Sequence, residues 1–171
     1  MILKVVLFFS VLINVNNALK VVCYWALWTS SSVIDPNLCT HIHYSFAILD
    51  STTLEMRFEK TADETTIVNL INEYKSTNPS LQHIIALGGW RDSKGDKYSR
   101  MVSSSTSRAN FVSNAVTFLI SNRFDGLDFD WEYPVCWGAD CSAGPASDKP
   151  NFASLLQVIY DEFIFILSIN I

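Results

Sequence analysis

An α/β fold organised around a parallel sheet is predicted by two features of the sequence. Short strand-like apolar runs alternate with amphipathic helical stretches, and no internal repeat, low-complexity run or interdomain linker interrupts the alternation. Four strands are expected at Val21 to Trp28, Ile42 to Leu49, Ile84 to Leu87 and Gly126 to Trp131. The link from Thr29 to Thr40 is too short to show a helix. A helix is expected from Thr61, where Thr61 and Glu64 stand in capping-box spacing; Ile67, Leu70, Ile71 and Tyr74 share a face, and Pro79 lies past its end. The next runs from about Ser107 to Asn122 with Val112, Ala115, Val116 and Leu119 inward. Another follows Pro150, with Phe152, Leu155, Leu156 and Ile159 as its stripe. Phe163 to Ile171 is strongly apolar and reads either as that helix running on or as the stub of a further strand.

The stretch from Asp125 to Pro134, Asp-Gly-Leu-Asp-Phe-Asp-Trp-Glu-Tyr-Pro, carries the chemistry. Strand side chains alternate, so Asp128, Asp130 and Glu132 are expected on one face while Phe129, Trp131 and Tyr133 pack on the other. Acids two residues apart stand roughly 6.6 to 6.8 Å apart along a strand. Unit charges at that distance repel by about 2.5 kcal/mol at an effective dielectric near 20, roughly two pKa units at about 1.36 kcal/mol each. One carboxyl of the row, with Glu132 as the expected holder, should therefore keep a proton near neutral pH, as general acid catalysis requires. A calcium loop does not fit: counting from Asp128, Tyr133 falls where glycine is needed and Ala139 where a bidentate glutamate belongs. A solvated edge strand would not alternate its acids with Phe, Trp and Tyr.

Ordinary glycosidases place two carboxyls on opposite sides of the bond they break. Asp130 and Glu132, neighbours on one strand, cannot flank a sugar, so the nucleophile must come from elsewhere. A substrate with an N-acetyl group can supply its own carbonyl oxygen. The pattern Asp-x-x-Asp-x-Asp-x-Glu is complete at Asp125, Asp128, Asp130 and Glu132, and on it the chain resembles glycoside hydrolase family 18, arthropod chitinases in particular. The resemblance extends from about Lys20 to Glu162 and includes Ala86-Leu87-Gly88-Gly89-Trp90 and Gly95-Asp96-Lys97-Tyr98-Ser99-Arg100.

The resemblance implies retaining hydrolysis of chitin or a chito-oligosaccharide, with no cofactor. Glu132 would protonate the glycosidic oxygen, Asp130 would hold the acetamido group as it attacks the anomeric carbon, and Asp128 would tune Asp130. Asp125, Gly126, Gly88 and Gly89 are structural positions of the motifs. Tyr24, Trp28, Phe46 and Trp90 match positions that line the sugar cleft, with core packing as the alternative for Phe46 and Trp28. Trp25 and Trp137 fall to packing or surface, and Arg91 stands where arthropod relatives carry asparagine. The alternative function is a catalytically silent chitin-binding lectin, a class that commonly lacks the acid kept here as Glu132.

The implied fold is the TIM (β/α)8 barrel, which usually needs about 250 residues. This sequence of 171 residues would hold only the first four β/α units. A tyrosine, an aspartate and a tryptophan that the family supplies from later strands have no counterpart in it. The expected consequences are open edges on the first and fourth strands, self-association through them, and weak hydrolysis.

Met1 to Lys4 carries one positive charge, Val5 to Val15 is apolar apart from Ser10 and Asn14, and Ala18 is small, a secretory signal pattern over residues 1–18. It leaves 19–171 as an incomplete catalytic domain, secreted, with no membrane span in the mature form. Even cysteine counts in secreted chains usually mean disulfides. Local pairing is expected, Cys23 with Cys39 and Cys136 with Cys141; the resemblance supports the first pair, and Pro134 to Trp137 with Cys141 resembles an insertion of arthropod members. A zinc site from Cys23, Cys39, His41 and His43 competes, but oxidation removes its thiolates, so no metal is expected. His83 reads as structural. With a formal net charge of -5 and no large Lys/Arg cluster, the chain is not built for nucleic acid.

Overall fold

The computed structural model describes residues 19–28 and 34–169, with side chains as far as residue 162. The expected signal peptide and part of the Thr29 to Thr40 link lie outside the described residues.

Four parallel strands form the sheet in the order β1 (Val22–Ala26), β2 (His41–Leu49), β4 (Gln82–Gly88) and β5 (Gly126–Asp130). A short β3 (Met56–Phe58) folds back antiparallel on the end of β2. Helices α1 (Thr61–Thr77), α2 (Gly89–Asp92), α3 (Lys97–Val102), α4 (Ser105–Ser121) and α5 (Asp148–Ile169) occupy the crossovers and the segment after β5. The four expected strands and three expected helices are all present. β3, α2 and α3 were not expected, because elements of three, four and six residues are too short to show a period.

The outer face of the sheet is the core. Ile42, Tyr44, Ile85 and Leu87 are fully buried there, with Ile67 and Ile71 from α1 and Phe111, Ala115 and Leu119 from α4 in the same cluster. The inner face carries His43, Ile84, Asp128 and Asp130, is half-buried, and has β1 and β5 as its edges among the described residues. This is part of a TIM-type barrel wall, with the barrel side uncovered.

Several local expectations are corrected. The first helix is capped one residue earlier than expected: Lys60 is the N-cap, and its N–H donates to the Asp63 carboxylate at 3.1 Å, which makes Thr61 the first helical residue. Ser104 caps α4 by accepting from the Ser107 N–H at 3.1 Å, so this helix starts before Ser107. Pro150 sits in the first turn of α5, where its missing N–H costs nothing. That helix continues to Ile169, which excludes the strand-stub reading. Leu155 is fully buried but Leu156 is 44% exposed, since the turn of the helix rotates it out of the stripe. Among the described residues, no helix is long and apolar enough to cross a membrane.

Both expected disulfides form, Cys23 with Cys39 and Cys136 with Cys141. The first ties β1 to the segment that enters β2. Asp125 does the same for β5: its carboxylate accepts the His83 N–H at 2.8 Å and Lys75 Nζ at 3.0 Å, and its own N–H donates to the His83 carbonyl at 2.7 Å. Gly126 follows it at the first position of β5, paired with Ile84.

His83 is a core residue, as expected. It is fully buried, its Nδ1 lies 2.8 Å from the Tyr44 hydroxyl, and its Nε2 has no hydrogen-bond partner among the described residues. Burial, aided by the positive charge of Lys75 and opposed by Asp125, pushes its pKa down to about 4. The unfolded chain therefore takes up this proton first as pH falls. The stabilisation is complete above the unfolded value, near 6.5, and is lost as pH falls toward the folded one. Urea midpoints of the full chain should fall between pH 6.5 and about 4, and the His83→Gln variant should show a shallower decline over that window.

Candidate active site

The acids sit at the carboxyl end of β5. Asp128 pairs with Ala86 and Asp130 with Gly88 of β4. The expected alternation holds through Trp131: the Phe129 ring packs on Phe111 at 5.8 Å and Phe152 at 5.4 Å, while Trp131 stacks on Tyr98 at 5.4 Å. These contacts anchor the strand from behind and leave Asp128 and Asp130 on the inner face.

Beyond Asp130 the strand ends, and the expectation changes with it. Glu132 is carried by a turn that Ser93 holds: the Glu132 N–H donates to Ser93 Oγ at 2.8 Å, and that hydroxyl donates to the Asp130 carbonyl at 3.3 Å. Tyr133, expected to pack opposite the acids, is 52% exposed instead, and its hydroxyl donates to Glu132. Strand parity no longer applies two residues past the last ladder pair. The strand itself is half-buried throughout, not buried.

Burial and crowding together raise one carboxyl. Asp130 is held above its ordinary range first by burial, then by the negative charge of Glu132, then by that of Asp128. The carboxyl held high is therefore Asp130, at the middle of the row, where the expectation had placed the proton on Glu132. Asp128 Oδ2 accepts the Tyr24 hydroxyl at 3.1 Å and lies 2.9 Å from His43 Nδ1. Burial and the two aspartates push the Tyr24 phenol up, so it stays a donor.

The two glycines of the β4 turn are required by close approach. A Cβ on Gly88 would lie 2.5 Å from the Asp130 carbonyl oxygen, and one on Gly89 would lie 2.9 Å from the Phe46 ring. Their φ angles of 119° and 79° are also in the region that glycine alone tolerates readily. Phe46 in turn stacks on Trp28 at 5.8 Å. Trp28 lies just past β1 and is 69% exposed, and Tyr24 and Trp90 are also exposed. Of the four aromatics expected to line a cleft, Tyr24 meets Asp128 directly and Phe46 packs between Trp28 and Gly89, and Tyr24, Trp28 and Trp90 have open ring surface. Trp25, by contrast, is buried against Tyr44.

Four site-supporting residues were not singled out. Ser93 is described above. Asp92 accepts the Leu49 N–H at 3.0 Å and the Tyr98 hydroxyl at 2.8 Å, and pairs with Lys97. Tyr98 therefore links that ion pair to the back of Trp131. His43 had been weighed only as a zinc ligand, and the cysteines of that alternative are bonded to each other. Arg91 is exposed and meets Glu59 at 3.3 Å. Trp137 anchors the loop after the acids, donating to Ser99 Oγ at 2.9 Å, and Ser99 donates to buried Asp148 at 2.7 Å. Two surface grooves of about 520 and 510 Å³ run along α4, away from the acids.

Parallel strands with acids at the carboxyl end of the last, beside exposed aromatics, are the arrangement of part of a (β/α)8 barrel and its site. The chain belongs to the Glycosyl hydrolases family 18, whose profile matches residues 20–170. It is 44% identical over 155 residues to Probable chitinase 10 of Drosophila melanogaster, covering 84% of this chain and 7% of that protein. It is 35% identical over 160 residues to mouse Chitotriosidase-1, covering 86% of this chain and 32% of that one. Among solved structures it resembles the Ostrinia furnacalis Group II chitinase catalytic domain 2, with a TM-score of 0.78 and 41% identity over 84% of this chain and 40% of the other. The human pseudo-chitinase YKL-39, with retained chitooligosaccharide binding, matches at a TM-score of 0.71 and 28% identity over 87% of this chain and 40% of its own. The chain therefore spans well under half the length of these relatives.

Gly88→Ala should push the end of β5 away from β4 and destabilise the chain by about 1 to 3 kcal/mol from backbone strain alone. Urea unfolding of the variant measures this, and Asp130 and Glu132 should move with the displaced strand.

Proposed function

We propose that this chain carries the acid-bearing part of a chitin-hydrolysing site, acting on β-1,4-linked N-acetylglucosamine by a retaining, substrate-assisted route. One observation supports the reading above all: Glu132 is near enough for its charge to act on Asp130, whose carboxyl is raised first by burial and then by that charge. In this mechanism the proton held by the raised Asp130 passes to Glu132, which donates it to the glycosidic oxygen as the bond to the leaving sugar breaks. The acetamido carbonyl oxygen of the same substrate attacks the anomeric carbon, with Asp130 orienting the acetamido group. Water then opens the cyclic intermediate while Glu132 takes the proton back, which retains the configuration. Asp128 supplies a fixed negative neighbour, and Tyr24, Trp28, Phe46 and Trp90 offer faces on which sugar rings stack.

The same reading makes residues 1–18 a cleaved signal peptide, 19–171 the catalytic portion, and the protein secreted. The apolar amino terminus and two disulfides support this. Self-association through the edges of β1 and β5 also belongs to it. A second reading, chitin binding without turnover, draws on the exposed aromatics and on the YKL-39 likeness.

Hydrolysis of a fluorogenic chitobioside by the full chain and by Glu132→Gln separates the two readings. The wild type should turn over, and the variant should lose about 100-fold or more of kcat while still binding chitin beads. Binding without turnover in both proteins would favour the lectin reading.

A further inference from the structure

The mechanism above leaves one contact without a role: His43 of β2 meets Asp128 of β5 across the intervening β4. Two strand spacings amount to about 9.6 Å, so the contact requires a long side chain and little between. Ala86 lies level with Asp128 in the β4–β5 ladder, and Ile84 level with His43 in the β2–β4 ladder. The small Ala86 side chain leaves the room over which imidazole and carboxylate meet. From the other side the Tyr24 ring backs the imidazole at 4.9 Å. His43 is thus held by β1 and β4, with its side chain only 15% exposed, and Nδ1 aims at the Asp128 oxygen that also accepts from Tyr24.

We propose that His43 is a positioning residue: donating from Nδ1, it fixes the Asp128 carboxylate on the β1–β2 side of the acid row, where it serves Asp130 as a stationary negative neighbour. This rests on the reading of Asp130 and Glu132 as the reacting acids. A carboxylate can only accept, so the hydrogen of this bond belongs to Nδ1. The titratable groups around the ring are Tyr24 from β1, His41 on its own strand with Lys20 near it, and Asp128 and Asp130 from β5; β4 contributes only Ile84 and Ala86. The charge of Asp128 is one cause of the raised Asp130, after burial and Glu132. With the His43 donor removed, Asp128 is free to turn away, and its push on Asp130 weakens.

The test is a carbon-13 titration of the Asp130 side-chain carboxyl in the full chain, in wild type, His43→Leu and His43→Asn. Asparagine places an amide N–H where Nδ1 stands; leucine places none. The midpoint should fall in the leucine variant and return to the wild-type value in the asparagine variant. No change in either variant overturns the proposal, and so does an equal fall in both, which would assign the effect to ring packing. If the leucine variant does not fold, a long-range proton–nitrogen spectrum of the wild-type ring decides: a hydrogen on Nδ1 supports the proposal, and a bare Nδ1 overturns it. None of these readouts needs turnover, so a chain that binds chitin without cleaving it would defeat the proposed function and leave this test intact.

Discussion

Like charges held close together at the end of β5 are the constraint around which this structure is arranged. Three carboxylates within a few residues repel, and water would relieve that repulsion if the strand were free to move. It is not free. Phe129 and Trp131 fix it to α3, α4 and α5 from behind, Gly88 brings the β4 backbone against Asp130, and Ser93 ties Asp130 to Glu132. Apolar burial on one face thus supplies the energy that keeps the acids crowded on the other.

The arrangement is layered outward from the acids. Directly around them are Tyr24 and His43 on Asp128, Ser93 on the Glu132 backbone, and the Tyr133 hydroxyl on Glu132. Behind these stand Asp92, Lys97 and Tyr98, which join the end of β2 to the back of Trp131. The loop that follows is tied by the Cys136–Cys141 bond and by Asp148, which accepts from Ser99 and from the Val135 N–H at 3.1 Å. On the open side, among the described residues, stand the exposed rings of Tyr24, Trp28 and Trp90.

Much of this was legible in the sequence, for identifiable reasons. Period-two and period-3.6 patterns report burial, and burial decides the faces of β2, α1 and α4, so those elements were read correctly from Ile42, Ile67 and Val112 outward. The acid row was legible because strand parity is rigid while the strand lasts. Tyr133 was misread because the strand stops at Asp130, and nothing local in Asp-Trp-Glu-Tyr marks that stop. Leu156 was misread because a stripe inferred from spacing is wider than the surface α5 covers. Ser93, Asp92 and His43 act through partners 37, 43 and 85 residues away, and contacts of that range leave no trace in local spacing.

The most direct measurement is the midpoint of the Asp130 carboxyl in wild type against Glu132→Gln, which removes one negative charge and keeps the shape. A midpoint above the ordinary aspartate range in wild type, falling in the variant, is the predicted result. An Asp130 that titrates as a free aspartate and is indifferent to residue 132 would contradict it.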